Sequence, residues 1–240
     1  MKTATLSQIL ADQKAKTPVA LATDLTSGAQ ALVYYDRATG DLAGDANVVV
    51  AARDAMRDDR SGIVPAGNGP GNKDVFIQVF NPPLRMVLVG AVHIAQPLSR
   101  MAAVAGYDVA VVDPRQSFAT EDRFPGVTIV DEWPDDGLKS LDLDRRTAVV
   151  TLTHDPKLDD PALQVAIRSP AFYIGALGSR KTHATRVERL RAEGFSDAEI
   201  GRINGPVGLR LGAVSPAEIA VSILAEVTSV LHAREEKAAA

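Results

Sequence analysis

Apolar positions in the first part of the chain come in short runs that are separated by turn-forming residues. The runs predict strands at residues 18–22, 29–35 and 74–80, and a helix at residues 48–56. Residues 61–73 carry a cluster of glycines and prolines, which predicts a loop. Together these elements indicate a small N-terminal α+β domain over residues 1–80.

The pattern changes after Asn81-Pro82-Pro83, where two consecutive prolines indicate a linker. Beyond it, near-continuous apolar runs alternate with segments whose apolar residues have helical spacing. The apolar runs predict strands at residues 85–90, 108–112, 127–130, 147–153 and 172–175. The segments between them predict helices at residues 93–105, 161–168 and 182–193. This alternation is typical of an α/β fold, a parallel sheet with helices on both faces. The domain is expected to cover residues 84–233.

The last helix has the clearest start signal in the sequence. Ser215, Pro216 and Glu218 stand at the spacing of a capping box with proline in the first helical position. The apolar residues that follow recur on one side of the helix and predict a buried stripe of Ile219, Ile223, Val227 and Val230.

Composition narrows the class of protein. The 240 residues are 46% hydrophobic and 23% charged, which excludes a chain disordered throughout. A net charge of −4 argues against a general binder of nucleic acids or anionic membranes. Uninterrupted apolar stretches are too short to cross a bilayer, and the N-terminus does not resemble a signal peptide. We therefore expect a cytoplasmic protein without a membrane span.

The absence of cysteine limits the chemistry of this chain. With no Cys, it has neither a disulfide, a thiolate metal cluster nor a cysteine nucleophile. Its four histidines (93, 154, 183 and 232) do not have the spacing of a zinc site. The sequence therefore predicts no metal site, and any sulfur chemistry would need the thiol of another protein.

The first candidate site follows the first strand after the linker. Gly90-Ala91-Val92-His93-Ile94-Ala95 lies where a dinucleotide-binding loop leaves a strand and opens a helix, whose free N–H groups favour a phosphate. Asp113, at the end of the next strand, is placed to meet a ribose hydroxyl, and Arg115 a 2′-phosphate. Val92 stands where such loops normally have a second glycine. A nucleotide or phosphate site and an empty turn both remain open.

The second candidate site is Tyr173-Ile174-Gly175-Ala176-Leu177-Gly178-Ser179-Arg180-Lys181, which again combines a strand, a glycine loop and a helix start. Ser179 is a candidate cap, and Arg180 and Lys181 add positive charge to the helix start. From Ser179 to Arg191 there are five basic residues and one acidic residue. This excess predicts an anion site, although a solvated helix face would give the same pattern.

Two further segments carry candidate polar groups. Thr153-His154-Asp155 follows a predicted strand, and ligands of open parallel sheets bind beyond the carboxyl ends of the strands. His154 and Asp155 could contact a ligand or only cap and connect elements. Asn204-Gly205-Pro206-Val207-Gly208 could likewise contact a ligand or form a tight turn under the sheet.

These motifs together resemble those of the XdhC/CoxI family. The resemblance rests on the two glycine loops and on Val112-Asp113-Pro114-Arg115, Phe124-Pro125, Thr153-His154-Asp155, Pro206-Val207-Gly208 and Pro216-Ala217-Glu218-Ile219-Ala220. They occur in family order over residues 84–231. The resemblance implies a Rossmann-like C-terminal domain and a homodimer.

The resemblance also implies a function. Family members are accessory proteins of molybdenum hydroxylases such as xanthine dehydrogenase and carbon monoxide dehydrogenase. They are thought to bind the molybdenum cofactor, to protect it during sulfuration by a separate cysteine desulfurase, and to pass it to the apoenzyme. The chain is accordingly expected to be a maturation factor with no catalytic residues. Its ligand would be a pterin, as a phosphomonoester or a dinucleotide.

Two departures from the family pattern bear on this expectation. Val92 replaces the second glycine of the family's Gly-Ala-Gly-His loop. The cysteine-containing blocks of the family's N-terminal domain correspond here to Gly44-Asp45-Ala46-Asn47-Val48 and Asn68-Gly69-Pro70-Gly71, without cysteine. The chain thus resembles a shortened, CoxF-like member that works beside a full-length relative.

Two other functions remain open at this point. One is an oxidoreductase that uses NAD(P) or FAD in the same crevice, and the other is an interaction module without a ligand. If the chain is a maturation factor, Arg180, Lys181 and Arg186 could instead face an acidic patch on its client protein. The residues expected to bind the cofactor are Gly90, Ala91, Val92, His93, Asp113, Arg115, His154, Asp155, Gly175, Gly178, Ser179, Arg180 and Lys181.

Overall fold

A computed structural model describes residues 3–66 and 73–238 of the chain. The chain divides into two compact units, Met1–Pro82 and Pro83–Ala240. Each unit is built around its own sheet.

The N-terminal unit is an antiparallel sheet with a helix against each face. Its elements are α1 (Thr3–Lys14), β1 (Val19–Asp24), β2 (Gln30–Val33), β3 (Ala38–Gly40), α2 (Ala46–Arg57), β4 (Gly62–Ala66) and β5 (Lys73–Phe80). The strand order is β3-β2-β1-β5-β4. Alternate residues of β1 serve the two faces: Ala20 and Ala22 pack with the α2 side, while Leu21 packs with Ile9 of α1.

This unit differs from the sequence prediction in several features, of which the short strand β3 is one. The stretch 61–73, predicted as a loop, contains strand β4, which pairs with β5 at the edge of the sheet. Pro65 is compatible with that position because an edge strand has one side without a ladder partner. Helix α1 was not predicted; Asp12 fixes it by accepting a hydrogen bond from the Tyr34 hydroxyl at 2.7 Å. The predicted block Asn68-Gly69-Pro70-Gly71 lies outside the described residues.

The C-terminal unit is a parallel sheet of six strands with helices around it. Its elements are β6 (Arg85–Val89), α3 (Ala95–Val104), β7 (Asp108–Val112), β8 (Thr128–Val130), α4 (Pro134–Ser140), β9 (Thr147–Thr151), α5 (Pro156–Arg168), β10 (Tyr173–Ala176), α6 (Arg180–Ala192), α7 (Asp197–Ile200), β11 (Ile203–Asn204) and α8 (Pro216–Ala238). The strand order is β11-β10-β9-β6-β7-β8. Counted from β6 this is the 3-2-1-4-5-6 order of a Rossmann fold, and it confirms the α/β prediction.

Each face of the parallel sheet carries a separate apolar core. Met86 and Leu88 pack on one side with Leu98 of α3 and Ile223 of α8. Val87 and Val89 point to the other side, where α4 and α5 supply Leu138, Leu163 and Ala166. Because both faces are covered, the strands are apolar at nearly every position, which is why they could be predicted from the sequence.

Helix α8 begins as its capping box predicts. The Ser215 hydroxyl accepts from the N–H of Glu218, and the Glu218 carboxylate accepts from the N–H of Ser215. Farther along, Glu226 accepts hydrogen bonds from the Tyr173 hydroxyl at 2.5 Å and from the Gly208 N–H at 2.9 Å. This carboxylate therefore joins α8 to β10 and to the glycine turn at 204–208.

Helix α8 is apolar over a length that could span a membrane, although the sequence predicts no membrane span. Residues Pro216–Ala233 are long and apolar enough to cross a bilayer, with a mean hydropathy of 1.2. No other helix in the described parts of the chain meets that test. The core helix of a globular domain passes it equally well, and Ala220, Ile223 and Val227 of α8 are buried in the core. The absence of a membrane span stays a prediction.

Helix α5 begins earlier than the sequence predicted. The sequence predicted this helix over residues 161–168. The helix starts instead at Pro156, where the Asp155 carboxylate accepts from the Lys157 N–H at 3.0 Å, and Pro161 lies inside the helix. Helices α4 and α7 and the short strand β11 were not predicted.

The ends of the two central strands approach each other closely. Gly90, directly after β6, has a φ of +106°, and a Cβ atom there would lie 2.3 Å from Cγ2 of Thr153. Thr153 cannot easily turn away, because its hydroxyl donates to the Asp159 carboxylate at 2.7 Å. Position 90 therefore requires glycine both for its backbone conformation and for space.

We predict that Gly90→Ala lowers the free energy of unfolding by about 1–3 kcal/mol, because it combines backbone strain with a clash at Thr153. Urea denaturation of the two proteins measures the change. Thr153→Ser removes Cγ2 and keeps the hydroxyl, so Gly90→Ala should cost less in a Thr153→Ser background. An equal cost in both backgrounds would show that the contact with Thr153 does not matter.

Candidate functional site

The candidate site lies along one edge of the parallel sheet. Strands β10, β9 and β6 are neighbours in that order and run in the same direction, so the loops that follow them share an edge. With about 4.8 Å between strands, the ends of β6 and β10 are about 10 Å apart. The chain order reverses between β6 and β9, and the crevice at such a reversal is where open α/β sheets bind ligands.

The loop after β6 presents free backbone donors at this edge. The N–H of Ala91 donates to the Asp113 carboxylate at 2.8 Å, which holds the loop against β7. Within the described residues, the N–H groups of Val92 and His93 form no hydrogen bond. Helix α3 then starts at Ala95 without a side-chain cap. The loop can thus donate to an anion, although the Val92 side chain occupies space that a glycine would leave open.

Asp113, the residue predicted to meet a ribose, is occupied by donors of the protein itself. Its side chain is fully buried, and its two oxygens accept from the Ala91 N–H and from the backbone N–H, Nε and Nη2 of Arg115 at 2.7–2.9 Å. Burial alone would raise the pKa of Asp113, but these donors outweigh it and hold the pKa below its ordinary value. As it stands, Asp113 braces the loop. A ribose contact stays a prediction that requires Arg115 to move.

The segment after β9 brings His154 to the surface in a constrained conformation. His154 has a φ of +62°, which is uncommon for a residue other than glycine and is often found at functional sites. Its neighbours serve the local structure: Thr153 is bonded to Asp159, and Asp155 caps α5. His154 and Asp155 were both predicted to contact a ligand. Asp155 caps a helix, whereas His154 forms no such structural contact in the described residues.

The loop after β10 forms a second group of free donors. Gly178 has a φ of +148°, and the Ser179 hydroxyl caps α6 by accepting from the Thr182 N–H at 3.1 Å. In the parts of the chain that the structure describes, the N–H groups of Arg180 and Lys181 have no hydrogen-bond partner. The side chains of both residues are exposed. This loop therefore supplies donors, positive charge and the helix dipole together.

Gly175, which the sequence placed among the cofactor-binding residues, lies inside β10 and is buried. A Cβ atom there would lie 2.6 Å from Cγ2 of Val207 and 2.8 Å from the Tyr173 ring. The structural requirement for glycine at this position is close packing. A ligand contact by Gly175 stays a prediction.

Arg186 and Asp159 were not identified from the sequence as a site. Arg186 is 1% exposed, so it cannot face an acidic patch on a partner, and that part of the prediction was wrong; Arg180 and Lys181 are exposed. Its Nη2 donates to the Leu177 carbonyl at 3.0 Å and lies 3.5 Å from the Asp159 carboxylate. Burial raises the pKa of Asp159, against the hydrogen bonds from Thr153 and the charge of Arg186. The only sequence signal was the basic run of α6.

A cavity of about 240 Å³ opens beside this buried pair, between α5 and α6. It is lined by His154, Pro156, Asp159, Lys181, Thr182, Thr185, Arg186 and Arg189. Two of these residues, His154 and Lys181, were predicted to bind the cofactor. A larger groove of about 620 Å³ lies between α4 and α5, along the C-terminal half of α5. The described residues contain no cluster of three or more potential metal ligands among His, Asp and Glu.

Comparisons with known proteins agree with this architecture. The family model for the XdhC Rossmann domain matches residues 86–227, more than half of the chain. Among curated proteins, the uncharacterized protein YqeB of Escherichia coli (strain K12) is 34% identical over 160 residues, 67% of this chain. The molybdenum cofactor insertion chaperone PaoD of the same organism is 35% identical over 166 residues, 69% of this chain. A probable xanthine dehydrogenase subunit from Bacillus subtilis (strain 168) is 33% identical over 155 residues, 64% of this chain.

The matched segments cover 30%, 46% and 45% of these three relatives, so the chain corresponds to less than half of each. Among solved structures, a xanthine dehydrogenase from Bacillus halodurans superposes with a TM-score of 0.74 at 22% identity. That match covers 98% of this chain and 68% of the other, and it supports the fold of both units. From the family match over residues 86–227, the chain belongs to the XdhC family through its Rossmann domain.

Proposed function

We propose that this protein is a maturation factor that binds the molybdenum cofactor and assists its insertion into a molybdenum hydroxylase, such as xanthine or carbon monoxide dehydrogenase. One observation carries the proposal: two loops at the same sheet edge, after β6 and β10, leave backbone N–H groups free for an anion. The name of PaoD, a molybdenum cofactor insertion chaperone, suggests which phosphate-bearing compound that anion belongs to.

The residues at the edge suit a phosphate-bearing pterin as cargo. The free N–H groups of Val92, His93, Arg180 and Lys181 are donors for phosphate oxygens. His154, exposed between the two loops, can hydrogen-bond the edge of a flat heterocycle. The chain would hold and shield the cargo. Having no cysteine, it would leave sulfuration to a separate cysteine desulfurase.

The partners belong to the same proposal. The main proposed partner is the hydroxylase apoenzyme, and a cysteine desulfurase and a full-length relative are further proposed partners. The protein itself is proposed to act as a homodimer in the cytoplasm. The name of the Bacillus subtilis relative, which describes a probable component of xanthine dehydrogenase, supports the choice of apoenzyme. An oxidoreductase that uses NAD(P) or FAD is less well supported, because Arg115 occupies the Asp113 carboxylate that a ribose would need.

Reversing the charge at the start of α6 tests whether the cargo binds there. Arg180→Glu combined with Lys181→Glu should lower the pterin content of the purified protein at least about tenfold, because two charge-assisted contacts become repulsions. The measurement is pterin fluorescence after acid oxidation of protein produced in cells that make the cofactor. Arg191→Glu, an exposed substitution near the other end of α6, is the control and should keep its pterin. An unchanged pterin content in the folded double variant would place the cargo elsewhere.

Substitutions at Val92 and Arg115 separate the effects of these two residues on nucleotide binding. Val92→Gly restores the space of a dinucleotide-binding loop, yet it should not create affinity for NAD⁺, because Arg115 still engages Asp113. Isothermal titration with NAD⁺ tests this. Adding Arg115→Ala should expose the carboxylate and yield measurable binding. Binding by Val92→Gly alone would mean that the valine side chain is the whole obstacle.

A further inference from the structure

Arg186 has hydrogen-bonding capacity that the described residues do not use. The side chain is 1% exposed, yet Nε and Nη1 are buried without a partner in the described parts of the chain. Only Nη2 is engaged, by the Leu177 carbonyl and more distantly by Asp159. A guanidinium is always charged, and buried donors left unsatisfied destabilise a fold. Their persistence here indicates a polar group that is not part of the protein.

Asp159 does not fill this role. Its Oδ1 accepts both the hydroxyl and the N–H of Thr153, and its Oδ2 reaches Arg186 only through Nη2 at 3.5 Å. The neighbouring pair on the same two helices is different: Arg189 binds Asp160 through Nε and Nη2 at 2.5 and 2.9 Å. Arg189 therefore has a carboxylate partner for two of its nitrogen atoms, whereas Nε and Nη1 of Arg186 have no partner in the described residues.

Arg186 is one of the residues that line the cavity of about 240 Å³ between α5 and α6. Lys181 lines the same cavity and forms no ion pair within the described residues. The Thr182 hydroxyl can donate into it as well, since Ser179 can supply the proton of their mutual 2.8 Å hydrogen bond. A water molecule takes about 30 Å³, so the space holds a phosphate group and several waters.

Charge favours an anion over water alone. Arg186, Lys181 and Arg189 surround the cavity with three positive charges, against the two negative charges of Asp159 and Asp160. The N-terminal end of α6 adds the positive pole of a helix of 13 residues. The Thr185 hydroxyl already donates to the Lys181 carbonyl, so the donors that remain around the cavity are the charged groups, Thr182 and the imidazole of His154.

We infer that the cavity between α5 and α6 binds a phosphoryl group, with Arg186 and Lys181 as its cationic ligands. The chemistry is that of a tetrahedral oxyanion, either free phosphate or the end of a phosphomonoester. As to its natural occupant the inference rests on the proposed function, in which the phosphate of the pterin cargo would bind here. The cavity itself can be tested with inorganic phosphate.

The experiment is isothermal titration of the full chain with sodium phosphate, against sodium chloride at equal ionic strength, followed by glycerol 3-phosphate as a simple phosphomonoester. We expect saturable phosphate binding that Lys181→Met weakens about tenfold, as expected for the loss of one charge-assisted contact. Arg186→Lys, which keeps the charge but removes the fork, should weaken it by a similar factor. Arg191→Met on the same helix, outside the cavity, is the matched control and should bind as the wild type does.

Equal weakening by Lys181→Met and Arg191→Met, or no binding beyond that of chloride, would overturn the inference. Arg186→Lys could disturb the fold. If that variant is unstable, the result for Lys181→Met decides the test. Tighter binding of glycerol 3-phosphate than of phosphate identifies a phosphomonoester as the occupant, and the reverse identifies free phosphate. If the wild type carries pterin but binds no phosphate, this inference fails alone. If it binds phosphate but never carries pterin, the proposed function fails alone.

Discussion

The architecture of the site follows from one constraint: a charge can be buried only where other groups compensate it. Asp113 meets the constraint entirely within the protein, through Arg115 and the N–H of Ala91. Asp159 meets it through Thr153 and Arg186, but Nε and Nη1 of that buried guanidinium, which carry three of its five N–H donors, have no partner in the described residues. Asp113 thus fixes the position of the loop after β6. Asp159 leaves Arg186 with unpartnered donors that an anion could accept from.

Much of the fold could be predicted because its signals are local. The strands of the C-terminal unit are buried on both faces and are therefore apolar throughout, and the Ser215–Glu218 capping box marks the start of α8 within four residues. The errors also have local causes. Glycine and proline suggested a loop where β4 forms an edge strand, and Pro161 suggested a helix start that Asp155 provides one turn earlier.

The site could be predicted only in part, since half of it depends on pairing between distant residues. Gly90, Gly178 and Ser179 could be predicted from the sequence, because a glycine or a helix-capping residue directly after an apolar strand is a local signal. Asp159 and Arg186 are separated by 27 positions, and no local pattern joins them. Within the sequence Arg186 is one member of a basic run, and such runs usually lie on solvated helix faces. Only the packing of α5 against α6 distinguishes it from Arg189 and Arg191.

The contact between Arg115 and Asp113 has a consequence for the choice among ligands. Arg115 follows Asp113 by two residues, and its guanidinium also stacks on the Phe118 ring at 4.5 Å. It therefore competes, as part of the same chain, with any diol for the Asp113 carboxylate. Because the contact is intramolecular, its effective concentration is set by the chain and does not depend on how much nucleotide is present. A dinucleotide whose ribose needs the Asp113 carboxylate would have to displace Arg115, whereas a ligand held only by the two glycine loops would not.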